Sequence, residues 1–281
     1  MKTVLFAAGI AALSAMAPAF ANAQTQPAPL PDAIRQQGFV RVGVETTYPP
    51  MSYKDPATNE RRGVNTDLLA ALSKEMGIEF RYEEMAFAQL IPAVTTGRVE
   101  FNGTSMTDTP ARRDRLTFVN YASTGAQIFT TVAQQRGATQ AADFCGRSVS
   151  APRTTNYPRQ VEEWSNANCV AAGKPPIRVI PSEGATATRT DLRQGRADGA
   201  VLGAEFVVYL SQQEPGTYAA VGTPLTRGLF GFSFDKAQAP LRDAVAAGLT
   251  RLIANGTYAE ILKKHGLEHQ ALATVTIDAG E

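Results

Sequence analysis

The sequence predicts an α/β chain built as two lobes, and three observations predict it. Short strands rich in Val, Ile and Phe alternate with amphipathic helices along most of the 281 residues, the pattern of βαβ units and mostly parallel sheets. Two β-rich runs, one near Gln127 and one near Phe230, bracket a middle stretch with its own strand–helix alternation. A middle domain inserted into an outer one through two crossings is a hinge architecture. The chain is also long enough for two ordinary domains.

The elements follow in order. Ile34 and its neighbours form a short helix that Gly38 stops. Residues 39–44 alternate apolar and polar as a strand, which Tyr48-Pro49-Pro50 breaks. Gly63 precedes a helix over 66–76, with Leu68, Leu69, Leu72 and Met76 on one face and Gly77 as its C-terminal stop. A strand at 78–82, a helix from Phe87 to Gly97 and a short strand at 99–103 come next. The middle unit runs through a strand at 148–150, a turn at 152–156, a helix bearing Val161 and Trp164, a strand at 177–180, a helix at 187–193 and a strand at 198–202. The chain closes with a strand at 230–234 and a helix carrying Leu241, Val245, Leu249 and Leu252. The Asn255-Gly256 turn follows, then a last short helix ending at Gly266.

Composition narrows the function. Lys plus Arg number 27 and Asp plus Glu 26, interspersed, which argues against a nucleic-acid surface or a polybasic membrane patch. Two His residues, His265 and His269, both near the C-terminus, leave no material for a zinc site or a Cys–His nucleophile. There is no G-x-S-x-G elbow, no Gly-rich phosphate loop and no Walker lysine. No cofactor is expected. At the start, Lys2, the apolar run 4–13 and Ala21-Asn22-Ala23 read as a signal peptide over 1–23, cleaved after Ala23, which predicts an exported protein, periplasmic if the resemblance below holds. Residues 24–31, rich in Pro, Ala and Gln, read as a disordered lead-in. In an exported protein Cys145 and Cys169 are expected to form one disulfide, worth about 3.5 kcal/mol by chain entropy.

The stretch Thr104-Ser105-Met106-Thr107-Asp108-Thr109-Pro110-Ala111-Arg112 carries the chemistry. Hydroxyls and free N–H groups at a strand-to-helix turn bind anions, and an arginine one turn inside clamps a carboxylate bidentately. In parallel sheets ligands sit beyond the carboxyl ends of strands. Glu45, Tyr48 and residues 104–107 all fall just after predicted strands.

With these residues in view, the chain resembles the periplasmic solute-binding proteins of polar amino-acid ABC transporters. Val42-Gly43-Val44 with Tyr48-Pro49-Pro50-Met51-Ser52-Tyr53 is similar to the family's first strand and Tyr-Pro-Pro turn. Gly63-Val64-Asn65-Thr66-Asp67-Leu68 resembles its Gly-x-acid-x-acid-apolar signature, with Asn65 where an acid is usual. Leu90-Ile91-Pro92 with Gly97-Arg98-Val99-Glu100, then 106–112, Leu192-Arg193-Gln194-Gly195-Arg196-Ala197-Asp198 and Asn255-Gly256-Thr257-Tyr258 resemble later segments in the family's order.

The resemblance implies a type II periplasmic binding fold, two Rossmann-like lobes on a two-crossing hinge. Lobe 1 would span 32–130 and 229–281, and lobe 2 would span 131–228. A monomer would close on one carboxylate-bearing solute, most consistent with a polar amino acid, and dock on a membrane permease. Arg112, with Ser105 and Thr107, would take the carboxylate. Tyr48 and Phe87 would pack on the ligand body, and Thr154 and Thr155 would complete the site from lobe 2. Glu45 lies where some members read a polar or cationic ligand group.

Two departures bear on the ligand. Gly203 stands where the family places an Asp for the α-ammonium. Either Glu205, two positions on, does that work, or the ligand lacks an α-amino group. Glu45 and Leu90 stand where a second carboxylate would call for arginines, which Arg153 would partly replace. The alternatives are a dehydratase-like enzyme on the same scaffold, with Glu45 or Glu205 as its acid, and a sensory or dehydrogenase-associated binding protein.

Overall fold

The computed structural model describes residues 30–280. The expected signal peptide, and residues 24–29 of the expected lead-in, lie outside the described residues. Helix α1 (Asp32–Gln37) ends on Gly38 in the left-handed region, whose N–H reaches back to the Ile34 carbonyl. Strand β1 (Phe39–Val44) follows. Strands β2 (Thr47–Tyr48), β3 (Ser52–Lys54) and β4 (Arg61–Arg62) form a small antiparallel sheet of their own, folded about a cis Pro49-Pro50 bond. Gly63, at φ 121°, starts helix α2 (Val64–Met76); a Cβ there would lie 2.5 Å from the Met51 carbonyl oxygen, so only glycine fits. The helix therefore begins two residues before the apolar periodicity suggests.

Strand β5 (Glu79–Glu84) pairs parallel with β1, and helix α3 (Phe87–Thr95) packs beside them. Strand β6 (Phe101–Thr107) overturns one expectation. The hydroxyl run 104–107 lies inside the strand rather than in a turn after it, because β6 stays paired with a later strand as far as Phe230 opposite Thr107. The turn is Asp108-Thr109, and helix α4 (Pro110–Arg113) is a single turn. Strand β7 (Leu116–Thr124), absent from the sequence reading, then leads to the first crossing.

Strand β8 (Ala126–Thr131) belongs to the second lobe. That corrects the expected boundary after residue 130, since β8 pairs antiparallel with two strands of the middle unit. The unit continues with β9 (Ser148–Pro152), α5 (Tyr157–Asn168), β10 (Arg178–Ser182), α6 (Ala185–Arg193), β11 (Gly199–Gly203), α7 (Ala204–Gln213) and β12 (Tyr218–Ala220). The chain returns with β13 (Gly228–Asp235), α8 (Ala239–Ala254), α9 (Thr257–Lys264) and β14 (Ala271–Ile277). One sheet runs β14-β7-β13-β6-β1-β5 and the other β10-β9-β11-β8-β12.

The two crossings lie side by side. The Ala126 N–H donates to Thr226 Oγ1 at 3.1 Å, and the Leu225 N–H to the Ala126 carbonyl at 2.7 Å. A Cβ on Gly125 would sit 2.3 Å from the Thr226 carbonyl oxygen, so the strands touch there through a bare backbone. Each lobe has its own core. Val42, Leu68, Leu72, Phe101, Phe232 and Leu249 belong to the first, where the Phe101 and Phe234 rings stack at 4.9 Å. Phe129, Phe144, Val149, Val161 and Leu202 belong to the second. The Cys145–Cys169 disulfide ties the approach to β9 to the end of α5 at the edge of that second core. Among the described residues no helix is long and apolar enough to cross a membrane.

Candidate functional site

A cleft of about 1020 Å³ opens between the lobes, at the carboxyl ends of β1, β6 and β9. Lobe 1 contributes Glu45, Tyr48, Phe87, Ser105 and Thr107; lobe 2 contributes Arg153, Thr154 and Thr155. Two expected site residues, Arg112 and Glu205, do not line it directly.

Arg112 borders the cleft from behind its wall. Its Nη1 donates to the Thr107 carbonyl at 2.7 Å, and its guanidinium lies 5.7 Å from the Phe87 ring centroid. Both partners line the cleft. Among the described residues Arg112 has no ion-pair partner. Burial pulls its pKa down to about 10, with the Tyr157 hydroxyl, Arg159 and Asp108 as its charged or titrating neighbours. Tyr157 and Arg159 belong to α5, so Arg112 faces the start of the lobe 2 helix.

The hydroxyls of the 104–107 run divide by use. Thr104 Oγ1 accepts the Glu45 N–H at 2.7 Å and fixes the end of β1. Ser105 lines the cleft, yet its hydroxyl is turned into a buried network. Asn65 Nδ2 donates to it at 2.9 Å, and the Tyr121 hydroxyl lies 2.7 Å away. Asn65 also binds Ser52 and accepts from Tyr121. The neutral Asn at a position where the resemblance implies an acid thus works as an organiser of the strand that bears the site. Thr107 supplies its carbonyl to Arg112.

Glu45 is partly buried at the cleft wall. Thr47 Oγ1 donates to its carboxylate at 2.7 Å, and among the described residues no cation pairs with it. Burial raises its pKa, opposed by the Thr47 bond. The other cleft-lining carboxylates are matched: Glu84 by Lys54, Glu183 by Arg153, and Asp191 by Arg196. Arg153 is thereby engaged in an exposed ion pair at the cleft edge.

Glu205 is corrected most sharply. It is fully buried at the first turn of α7 and accepts from Tyr48 at 2.8 Å and from Thr124 at 3.0 Å. Its Oε1 lies 1.7 Å from where a Cβ on Gly203 would be. The carboxylate occupies the space a residue 203 side chain would enter, and Tyr48 caps it, so it does not line the cleft.

Sequence reasoning missed two residues. Asn156 stands at the start of α5 without capping it through its side chain; it lines the cleft, and among the described residues its buried Nδ2 has no partner. Tyr157 follows it, buried, with its hydroxyl 3.2 Å from that of Tyr48. The polar turn 152–156 running into a helix was the available signal, since such a turn leaves helix N–H groups facing outward. Among the described residues no group of His, Cys, Asp and Glu side chains is placed to hold a metal.

Residues 40–268 match the model of the bacterial extracellular solute-binding proteins, family 3. The chain belongs to this family. The chain is thus a solute-binding protein, and its curated relatives are described as binding proteins rather than enzymes. The chain is 29% identical over 249 residues to the arginine-binding protein ArgT of Corynebacterium glutamicum, covering 89% of this chain and 81% of that one. It is 28% identical to the L-arginine-binding protein of Pseudomonas aeruginosa, over 80% of this chain and 87% of the relative. The L-cystine-binding protein TcyJ of Escherichia coli matches at 22%, over 82% and 84%. Among solved structures, the P235GK mutant of ArgBP from T. maritima superposes with a TM-score of 0.71 at 22% identity, covering 84% of this chain and 98% of that one. An ancestral amino acid-binding protein, described as a precursor of cyclohexadienyl dehydratase, gives 0.71 at 24%, covering 83% and 97%. These likenesses establish the fold, a type II periplasmic binding protein.

Proposed function

We propose that this solute-binding protein captures a small amino acid with a cationic far end, of the arginine type, by closing its two lobes. The loaded protein then serves the membrane permease of an ABC importer in the periplasm. One observation carries the reading: among the described residues Arg112 and Glu45 have no ion-pair partner and border the same cleft, while its other carboxylates are matched. A ligand carboxylate would lie between Arg112 and the start of α5, where among the described residues Asn156 Nδ2 has no partner. A ligand cation would answer Glu45. Phe87 and Tyr48 would flank the body. Relatives described as arginine-binding proteins support the same class. The N-terminal pattern of Lys2, an apolar run and Ala21-Asn22-Ala23 supports export.

Isothermal titration with three ligands of one shape tests this. L-arginine carries both charges, L-citrulline lacks the side-chain cation, and agmatine lacks the carboxylate. Each lost charge-assisted contact, about 1.5–3 kcal/mol, predicts binding weaker by at least about tenfold. Equal affinity for agmatine and arginine would exclude Arg112 as the carboxylate site. Tighter binding of citrulline would exclude Glu45 as the cation site.

A further inference from the structure

Three segments of lobe 1 converge on one carboxyl of lobe 2. Tyr48 of β2 donates to Glu205 Oε1 at 2.8 Å. Thr124, the last residue of β7 before the crossing, donates to Oε2 at 3.0 Å, and Gln270 Nε2 lies 3.5 Å from the same oxygen. Glu205 is fully buried and, among the described residues, has no cation beside it. Among the described residues Gln270 Oε1 is also buried without a partner.

The Tyr48 hydroxyl is held by lobe 2 alone. The Gly203 N–H donates to it at 2.9 Å, and the Tyr157 hydroxyl is 3.2 Å away. The Gly203 N–H can only donate, and the single Tyr48 proton goes to Glu205. Tyr157 must therefore give its own proton to Tyr48. The phenol is saturated, with one proton given and two accepted, all across the seam between the lobes. The geometry around it is specific. Oε1 occupies the space a Gly203 side chain would need, and the Tyr48 ring packs on Phe206 of the same helix at 5.2 Å.

We propose that the Glu205 carboxyl is an inter-lobe latch: it fixes the Tyr48 hydroxyl across the seam and so sets how readily the lobes part. Glu205 is a positioning residue, acting on a cleft wall it does not itself form. Parting the lobes strips a buried, cation-free carboxylate of its Tyr48 donor, and such a group is costly to leave short of donors. The latch rests on the hinge closure proposed above and adds to it the group that governs the ligand-free equilibrium.

The test uses the full chain, with spin labels at two exposed positions, Lys74→Cys on α2 and Asn166→Cys on α5, and the inter-lobe distance read by double electron–electron resonance without ligand. Glu205→Leu fills the space but accepts no hydrogen bond. It is expected to shift the population toward longer distances by about tenfold. Glu205→Gln keeps an oxygen for Tyr48 and an amide that the Thr124 hydroxyl can rotate to meet, so it should retain the wild-type distribution. Thr124→Val, which removes the donor beside the crossing, should shift the distribution in the same direction as Leu and replaces it should the Leu variant not fold. A Leu or Val distribution equal to wild type overturns the latch. So does a Gln variant as broad as Leu, because packing and not the acceptor would then be responsible. Since the reading is made without ligand, a chain that does not bind L-arginine, which would sink the proposed function, leaves this result standing.

Discussion

Replacing Arg112 by methionine should stabilise the ligand-free protein while abolishing its response to ligand. Burial holds the Arg112 pKa near 10 against an ordinary 12.5, which corresponds to about 3 kcal/mol against the charged form at neutral pH. The sign is that of a base with a depressed pKa: the unfolded chain keeps the proton more readily, so the charge weighs against folding at every pH below about 10. Methionine removes that cost and keeps most of the apolar stem. Against the gain stand the Thr107 hydrogen bond, about 1 kcal/mol, and the contact over Phe87, about 0.5–1 kcal/mol. The balance is a gain of about 1 kcal/mol, or roughly 2–4 °C in Tm for a chain of this size. Thermal unfolding with and without L-arginine reads both effects. At 100 times Kd the wild type should gain about 2.7 kcal/mol from ligand, and the variant should gain nothing. A variant that is less stable without ligand would refute the desolvation argument. One that keeps the ligand shift would refute the carboxylate site.

Three further outcomes follow from the same geometry. Glu45→Gln should weaken L-arginine by about tenfold or more and leave L-citrulline nearly unchanged, as titration would show; an equal loss for both ligands would mean Glu45 does not read charge. Burial raises the Glu205 pKa, so the folded state takes up a proton before the unfolded one as pH falls toward the ordinary carboxylate range, and stability rises on acidification through that window. Urea unfolding should therefore find Glu205→Gln more favourable relative to wild type near pH 7 than near pH 5, and a pH-independent difference would contradict this. Converting Cys145 and Cys169 to Ser should cost about 3.5 kcal/mol for the loop they close, with ligand affinity unchanged because neither residue lines the cleft; a changed Kd would tie the second lobe's rigidity to binding.

Local patterns made the first half of each lobe readable. Gly38, Gly63 and Gly77 punctuate α1 and α2 because the backbone adopts positive φ there, and a glycine shows in sequence. Strand β7 was hidden because Leu116 to Ala122 are all buried, Asn120 among them, so no alternation marks the strand. Strand β14 failed for the opposite reason: none of its residues is fully buried, and it is held by pairing on β7. Helix α7, with Phe206, Val207 and Val208 at its centre, carries β-branched residues where helical periodicity is weak, and without it Glu205 could not be placed.

At the site, the residue types were legible and their uses were not. Arg112 stands out in its motif. That Ser105 is engaged by Asn65 and Tyr121, 40 and 16 positions away, is long-range packing that no local window contains. The same holds for Glu205, which reads as a ligand acid until Tyr48 and Thr124 are seen to cap it.

A crystal structure of the protein with L-arginine tests the central claim most directly. The account predicts the ligand carboxylate within hydrogen-bond distance of the Arg112 guanidinium and Asn156 Nδ2, with the ligand guanidinium paired to Glu45. A ligand lying in the reverse direction, or bound with Arg112 still without an anion, would contradict it.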